Sequence, residues 1–433
     1  MMYNKRLKKL VVAAGDLFFL YLSLFITLTL RYGSWPTKEL WNIHQYPFLF
    51  VYLVWIVIFY IAGLYDIEKF LSVKALRNEI FKTMVLAGTL TTIIFYLVPF
   101  FGITPKTNLI INLFISFIFI WLWRKNNFNK ATKGSKIKVF FLGKSREADG
   151  FANFLESRPQ LGYATVGDFS SADLIVAPEE IRQDQGLAQI LYKMILEGRN
   201  VVSFEKFYES IIGKIPVSMI SEIWFLENLA ETEKTNYEKA KRVTDIFFSV
   251  IFLAVFMIIY PFVAIVIKLN SKGPVFIRQK RVGKNGKIFE IIKFRSMISL
   301  SPDGSAETNG AQWAKEADDR ITFVGNILRK TRIDEIPQVW NVIKGNLSFI
   351  GPRPERPELI KELETKVPHY SMRHLVKPGL TGWAQINFPY GSSVEDAMEK
   401  LQYDLYYIKN KSLLLDIIIT LKTLAVVLRH SGR

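Results

Sequence analysis

Four long apolar segments in the first third of the chain restrict what it can fold into more than any other feature. They cover about residues 10–30, 47–64, 84–101 and 109–123. A helix of about 20 apolar residues matches the hydrocarbon thickness of a bilayer. The last segment is shorter, so its ends are the least defined of the four. Together the segments predict an α-helical membrane bundle over residues 1–133.

Basic residues mark one side of these segments. Cations cluster before the first segment, between the second and third, and after the fourth, while the other two loops carry few. Lysine and arginine concentrate in cytoplasmic loops, so four spans with both ends in the cytoplasm satisfy the distribution. The formal net charge of +17 suits anionic lipid or phosphorylated substrates. Because the cations flank apolar segments, they favour lipid and argue against a nucleic-acid partner.

Asp16 lies inside the first apolar segment. An ionisable residue within a span is a functional candidate. Its position near the cytoplasmic end favours a structural interpretation, in which the carboxylate reaches Lys8 or Lys9.

Beyond the spans, residues 134–236 have the pattern of a small α/β domain. Buried-strand patterns alternate with helical ones, which is typical of a parallel sheet. The strands are predicted at about residues 137–143, 173–180 and 200–204, and the helices at 148–157 and 189–197. Only Gly143 and Gly150 follow the first strand, so the G-x-G-x-x-G fingerprint for dinucleotides is broken. We therefore expect a degenerate Rossmann-like unit with a structural or regulatory role.

A fifth apolar run, residues 246–267, opens the last part of the chain. Cations flank both of its ends, which a simple span would not favour. Pro261 interrupts the run and would kink a helix there. A re-entrant helix that enters the membrane and returns on the same side reconciles the two observations. A further apolar stretch, residues 413–428, is basic at both ends and predicts an interfacial amphipathic helix.

Residues 331–354 carry the strongest signs of chemistry. Asp334 and Glu335 open an apolar helical pattern, with Pro337 just inside its start. Adjacent carboxylates repel each other and therefore favour a metal, an arginine or a shared proton. Arg329 precedes the pair, and Arg353 follows between two prolines, where its fork is oriented for phosphate. The plainer alternative is an ordinary acidic first turn next to surface arginines.

Three sequence motifs occur in a fixed order around this segment. They are KFRSM at residues 293–297, RKTRIDEIPQVWNVIKGNLSFIGPRP at 329–354 and KPGLTGWAQIN at 377–387. Together they closely resemble the bacterial sugar transferases, the monotopic polyprenyl-phosphate hexose-1-phosphate transferases. The resemblance covers about residues 241–433. The N-terminal half is similar to the larger subgroup with four membrane spans, which includes undecaprenyl-phosphate glucose and galactose phosphotransferases.

The resemblance implies a fold and a reaction. The fold would be a multidomain membrane protein whose residues 237–433 form a mostly α-helical monotopic catalytic domain. The reaction would transfer a hexose 1-phosphate from a UDP-hexose to undecaprenyl phosphate, releasing UMP, as the first step of exopolysaccharide or O-antigen synthesis. The enzyme would sit in the bacterial inner membrane with its catalytic domain on the cytoplasmic face. A homodimer is expected from the resemblance alone.

Roles for five residues follow from the same resemblance. Asp334 would be the nucleophile that forms a phosphosugar–aspartate, and Glu335 would bind Mg²⁺, the expected cofactor. Arg329 and Arg353 would hold phosphate oxygens, with Lys293 as a further candidate.

Two other functions fit parts of the sequence. A membrane-bound nucleotide-sugar dehydratase would also join spans to an α/β domain, and Tyr237 and Lys241 have its Tyr-x-x-x-Lys spacing. They lie beside the fifth apolar run and outside the α/β domain, so we interpret the spacing as chance. A non-catalytic assembly protein is the second alternative, and the intact acidic pair together with Arg353 argues against it.

Overall fold

The computed structural model describes residues 5–97, 106–143, 145–178, 185–229, 235–300, 319–388, 391 and 393–428. The chain forms two compact units, Met1–Phe204 and Glu205–Arg433. The described part is mostly helical, as the sequence predicted for a membrane protein with several apolar helices. The predicted domain boundaries at residues 133 and 236 stay predictions.

Four helices begin the first unit. They are α1 (Lys5–Tyr32), α2 (Lys38–Ile61), α3 (Val73–Leu97) and α4 (Lys106–Lys133). Each is long and apolar enough to cross a membrane, as the sequence predicted. Several helices extend beyond the apolar segments because helix-compatible polar residues continue them. Helix α2 begins nine residues before its segment, α3 begins eleven residues before, and α4 ends ten residues after. Pro47 therefore lies inside α2 and not at its start.

Polar contacts cross the interior of this bundle. Asp16 is ion-paired with Arg124 of α4, and both side chains are buried. The expected contact of Asp16 with Lys8 or Lys9 was wrong, because Lys9 Nζ binds Asp66 at 2.5 Å. Arg124 also donates to the carbonyl oxygen of Leu64 at 2.5 Å. The structural interpretation of Asp16 is thus supported with a different partner, one more than 100 residues away and invisible to local sequence patterns.

The α/β part of the first unit contains a four-stranded parallel sheet. Its strands are β1 (Ile137–Phe141), β2 (Tyr163–Thr165), β3 (Leu174–Ala177) and β4 (Asn200–Ser203), in the order β2-β1-β3-β4. Helices α5 (Arg146–Glu156) and α6 (Gln185–Leu196) connect them. The predicted small parallel sheet with connecting helices is confirmed, and its standing as a separate domain stays a prediction. Strand β2 was missed because three residues without an apolar run give no strand pattern.

The second unit starts with α7 (Phe204–Ile212), which spans the boundary, and α8 (Glu222–Asn228). The long helix α9 (Thr235–Asn270) leads to an antiparallel hairpin of β5 (Phe276–Val282) and β6 (Ile288–Phe294). The sequence itself predicts this hairpin, because the turn residues Gly283, Asn285 and Gly286 lie between two apolar stretches. The remaining elements are α10 (Phe323–Lys330), α11 (Val339–Lys344), β7 (Ser348–Ile350), α12 (Pro357–Lys366), β8 (Gly379–Thr381), α13 (Trp383–Asn387), α14 (Val394–Asn410) and α15 (Leu413–Leu428).

The largest apolar core among the described residues of the second unit lies between its last helices. Buried side chains of α12, α14 and α15 meet there, with Leu363, Leu401 and Ile419 almost fully inaccessible. Ile215 and Trp224 pack in the same core, although the sequence placed them in the α/β domain. Two smaller clusters, around Phe294 and around Val342, hold the hairpin, α10 and α11, which carry the first two motifs.

Helix α9 carries most of the exposed apolar surface of this unit. Its side chains from Val243 to Leu269 are largely exposed, which is typical of a surface that meets lipid. Pro261 lies inside this one helix, and the bend that the sequence predicts there stays a prediction. Both ends contact the same unit. Asp245 accepts from Ser348 Oγ at 3.0 Å near one end, and Arg295 donates to the carbonyl oxygen of Ser271 at 2.7 Å at the other.

Close backbone contacts explain the glycines of two motifs. Strands β7 and β8 pair in parallel, which brings the ends of the second and third motifs together. A Cβ on Gly351 would lie 2.4 Å from the carbonyl oxygen of Lys377, and one on Gly379 would lie 2.1 Å from the nitrogen of Gly351. Only glycine fits at such distances.

Candidate active site

Asp334 and Glu335 lie in a tight turn between α10 and α11. The turn is a 3₁₀ segment, Ile333–Gln338, and α11 begins only at Val339. The sequence predicted that the acids would open an α-helix. Pro337 explains the difference, because it lacks an N–H and disfavours helical geometry in the residue before it. Arg332, at the entrance, has φ of +60°, a strained value for a non-glycine residue that is frequent at functional sites. The predicted end of α11 at Gly345 is confirmed.

Three cations converge on one oxygen of Glu335. Lys293 Nζ lies 2.9 Å from Glu335 Oε1, Arg353 Nη2 lies 3.0 Å away and Arg332 Nη1 lies 3.8 Å away. Burial acts to raise the pKa of the Glu335 carboxyl, but these three charges together hold its pKa well below the usual value. Glu335 is therefore a carboxylate at any physiological pH.

Asp334 has the opposite character. Its side chain is only 8% exposed, and its Oδ1 atom is buried without a hydrogen-bond partner in the described part of the chain. Burial, followed by the charge of Glu335, raises the pKa of Asp334 to about 6, although Lys293, Arg332 and Arg329 act to lower it. In active sites, two neighbouring carboxyl groups whose pKa values differ strongly commonly have different chemical roles. Asp334 offers an unpaired oxygen, and Glu335 a fixed negative charge.

Buried arginines fix the backbone that carries Arg353. Arg373 Nη2 donates to the carbonyl oxygen of Arg353 at 3.0 Å and to Asp404 Oδ2 at 2.9 Å. Arg281 Nη1 donates to the carbonyl oxygen of Pro354 at 3.0 Å. Because Arg353 is held by Glu335 as well, its pKa is raised above the usual value. Sequence reasoning missed Arg281 and Arg373, since their partners are distant in the chain.

Lys293 is also positioned by a side chain that the sequence did not single out. Asn341 of α11 donates from Nδ2 to the carbonyl oxygen of Glu290 at 2.6 Å, and its Oδ1 accepts from the backbone N–H of Ile292 at 3.3 Å. Both contacts lie on β6, next to Lys293. Asn341 therefore fixes the strand that carries the lysine to the helix that follows the acids.

Arg329 stands apart from the ion pairs around Glu335. Its charge acts on Asp334, but its Nη1 atom is buried and has no hydrogen-bond partner among the described residues. The site thus contains an unsatisfied donor on Arg329 and an unsatisfied acceptor on Asp334. Of the five predicted residues, Lys293, Asp334, Glu335 and Arg353 form one cluster, and Arg329 is linked to it through its charge.

The side chains present fit a magnesium ion held together with a substrate. No group of three or more metal-binding side chains occurs among the described residues. Mg²⁺, however, is commonly bound by one or two carboxylates, with phosphate oxygens and water completing its shell. The Glu335 carboxylate is a hard oxygen donor of this kind, and the predicted Mg²⁺ at Glu335 stays a prediction.

Comparison of the sequence with known proteins identifies the family of this chain. The model of the family described as "Bacterial sugar transferase" matches residues 236–430. The exopolysaccharide production protein PSS of Rhizobium leguminosarum bv. phaseoli is 40% identical over 184 residues, which cover 41% of this chain and 88% of the relative. The chain belongs to the bacterial sugar transferase family. The resemblance noted in the sequence is thereby confirmed.

Two larger relatives match longer stretches of this chain. A UDP-N-acetylgalactosamine-undecaprenyl-phosphate N-acetylgalactosaminephosphotransferase of Aeromonas hydrophila is 37% identical over 282 residues, or 64% of this chain and 63% of the relative. A UDP-glucose:undecaprenyl-phosphate glucose-1-phosphate transferase of Xanthomonas campestris pv. campestris is 38% identical over 220 residues, or 50% of this chain and 43% of the relative. The chain thus spans less than two thirds of the length of either protein.

Proposed function

We propose that this chain is a membrane enzyme that transfers a sugar 1-phosphate from a UDP-sugar to undecaprenyl phosphate and releases UMP. The observation that carries the proposal is the Asp334–Glu335 pair, in which one acid is fully paired with cations and the other keeps a buried, unpaired oxygen. Relatives named for this reaction with N-acetylgalactosamine or glucose support the substrate class.

In the first step the ionised Asp334 attacks the phosphorus that bears the sugar. A new oxygen–phosphorus bond forms, the bond to the bridging oxygen breaks, and UMP leaves with the electron pair. The raised pKa of Asp334, about 6, leaves the group mostly ionised at neutral pH, and its lack of a partner leaves the oxygen available. Arg329 and Arg353 stabilise the charge that develops on the phosphate oxygens.

In the second step the phosphate of the lipid attacks the phosphosugar–aspartate. The Asp334–phosphorus bond breaks, the carboxylate is regenerated and the lipid carries a diphosphate linked to the sugar. Mg²⁺ bound through Glu335 would supply neutralisation of the diphosphate charge. Glu335 also holds Lys293 and Arg353 in place, so removal of its charge changes the position of two cations at once.

The proposal includes the location of the site. The apolar surfaces of α9 and α15 hold the second unit at a bilayer, and the contact of both ends of α9 with that unit supports a re-entrant path. The positions of the basic loops support a cytoplasmic catalytic face in the bacterial inner membrane, where the enzyme would act as a homodimer and start exopolysaccharide or O-antigen synthesis. There a water-soluble donor and a lipid acceptor can meet.

The test is a screen for UMP release by the purified chain with undecaprenyl phosphate. The donors are UDP-glucose, UDP-galactose and UDP-N-acetylgalactosamine, and Asp334→Asn is the control. We expect UMP with at least one donor and none from the variant. Absence of UMP with every donor would favour the assembly protein, and binding of NAD by the purified chain would favour the dehydratase.

A further inference from the structure

A second basic recess lies in the same unit, at the base of α9. It is lined by the first turns of α9, by β7, by the loop before β8 and by the end of α14. Its charged lining includes Lys241, Arg242, Lys377 and Lys411. None of them belongs to the cluster around Asp334 and Glu335. The recess therefore needs its own explanation.

Three of the four cations already have partners. Lys241 Nζ lies 2.8 Å from Asp416 Oδ2, and Tyr237 and Tyr407 donate to the same carboxylate. The Tyr237–Lys241 pair is therefore part of a buried structural network, in a different unit from the parallel sheet. Lys411 Nζ pairs with Glu238 at 2.7 Å.

Arg242 binds the C-terminal end of α11. Its guanidinium donates to the carbonyl oxygens of Val342 and Ile343, each at 2.7 Å. The carbonyl oxygen of Val342 also accepts from the backbone N–H of Gly345 at 3.0 Å, and a cation at this end of the helix is favourable.

Lys377 is the exception. Its side chain is half-buried, and its Nζ atom has no hydrogen bond or ion pair in the described part of the chain. A Cβ placed on Gly345 would lie 3.7 Å from both Lys377 Nζ and Arg242 Nη2, so the two nitrogens are no more than twice that distance apart. Burial, then the charge of Arg242, lowers the pKa of Lys377. Asp245 also faces the recess but is engaged by Ser348 and the backbone N–H of Phe349. An unpaired lysine beside an arginine is the arrangement that binds a phosphate oxygen.

The position of the recess indicates where that phosphate comes from. Exposed apolar side chains begin directly after Arg242, with Val243 67% exposed and Phe247 60% exposed. Tyr237 lies on the polar side of the same boundary. Tyrosine and cations at the start of an apolar stretch are typical of the headgroup level of a bilayer. A group held by Arg242 and Lys377 would therefore lie at the depth of lipid phosphates.

We propose that Lys377 and Arg242 form a binding site for the phosphate of an anionic phospholipid, separate from the site around Asp334. The bound headgroup would fix the height at which α9 enters the membrane. It would also supply a direct partner for Lys377 Nζ, on which Asp245 and Glu238 act only through their charge.

The experiment is lysine labelling of the full-length chain in nanodiscs. The discs contain phosphatidylcholine alone or with phosphatidylglycerol, and a brief pulse of an amine-acylating reagent is followed by mass spectrometry. We expect Lys377 to react several-fold more slowly with phosphatidylglycerol present. Lys272, exposed at the other end of α9, is the matched control for a general effect of the charged surface. In detergent, short-chain phosphatidylglycerol should raise the thermal midpoint of the wild type and of Lys272→Gln, and raise it less for Lys377→Gln.

Four outcomes would overturn the proposal. Equal slowing of Lys377 and Lys272 would mean a surface effect only. Equal protection by inorganic phosphate would identify a site for a soluble anion. Protection by undecaprenyl phosphate but not by phosphatidylglycerol would assign the recess to the acceptor. An identical thermal response of Lys377→Gln and Lys272→Gln would remove Lys377 from the site. Because labelling needs no turnover, these results are independent of the proposed transferase activity.

Discussion

The electrostatics of Asp334 and Glu335 predict how the rate of the reaction changes with pH. If Asp334 must be ionised to attack phosphorus, the rate of the first step should follow its titration. The pKa of Asp334 rises from 3.8 to about 6, which corresponds to about 3 kcal/mol in favour of the protonated form. At pH 5 the rate should therefore be about a tenth of its plateau, whereas an unperturbed aspartate would still be nearly fully active there.

Two substitutions should move the midpoint in opposite directions. Glu335→Gln removes the neighbouring negative charge that raises the pKa of Asp334, so its midpoint should fall to lower pH, even though the plateau rate also drops. Arg332→Gln removes a positive charge that lowers the pKa of Asp334, so its midpoint should rise. Arg332 is the matched partner because it lies next to the same two acids and contacts Glu335 only at 3.8 Å.

The assay is single-turnover UMP release from a UDP-sugar without lipid acceptor. The acceptor is left out because a phosphate monoester itself titrates near pH 6. A wild-type midpoint near 4 would refute the buried, unpaired state of Asp334. A shift of the same sign in both variants would refute the electrostatic reasoning, since it would indicate a general disturbance of the turn.

Three further predictions concern the nucleophile, the anchors and the path of α9. Asp334→Asn should abolish the phosphosugar adduct in mass spectrometry, and an adduct on any other residue would remove Asp334 from its role. The same variant should raise the thermal midpoint more at pH 7.5 than at pH 5, because the destabilisation caused by the raised pKa of Asp334 grows from pH 3.8 and is complete only above about pH 6. A chain lacking residues 1–133 should still float with liposomes through α9 and α15, and recovery wholly in the aqueous phase would show that these helices are not anchors. Single cysteines at Lys239 and Lys272 can be labelled specifically, since the chain has no native cysteine, and both should react from the cytoplasmic side. Pro261→Ala should expose part of Lys272→Cys to the outside and lower activity. Outside labelling of Lys272→Cys without the Pro261 change would exclude the re-entrant path.

Local patterns in the sequence were sufficient for much of this fold. The spans, the parallel sheet and the hairpin were all predicted, because each has a hydrophobic period or turn residues of its own. The geometry around Pro337 was not, because the competition between a 3₁₀ turn and an α-helix depends on how the turn is packed. The resemblance of the motifs was sufficient to predict the four clustered site residues. It could not predict the distances between their side chains.

Contacts between distant residues were beyond the reach of the sequence. Arg373 and Asp404, which support Arg353, lie outside all three motifs. Lys377 lies inside a motif, yet nothing in its neighbours along the chain indicates that Arg242 would come near it. Such pairings follow from tertiary packing, and a single sequence contains no local signal for them.

The ion pair between Asp16 and Arg124 has a consequence for how the protein is made. Its two charges lie on the first and last helices of the bundle, so a nascent chain that has inserted only α1 carries an unmatched acid until α4 follows. An unpaired charge within a span costs up to a few kcal/mol. We therefore expect that a chain arrested before α4 inserts is open to membrane quality control. A deletion that removes residues 1–133 takes out both charges together and leaves neither helix to be recognised as incomplete.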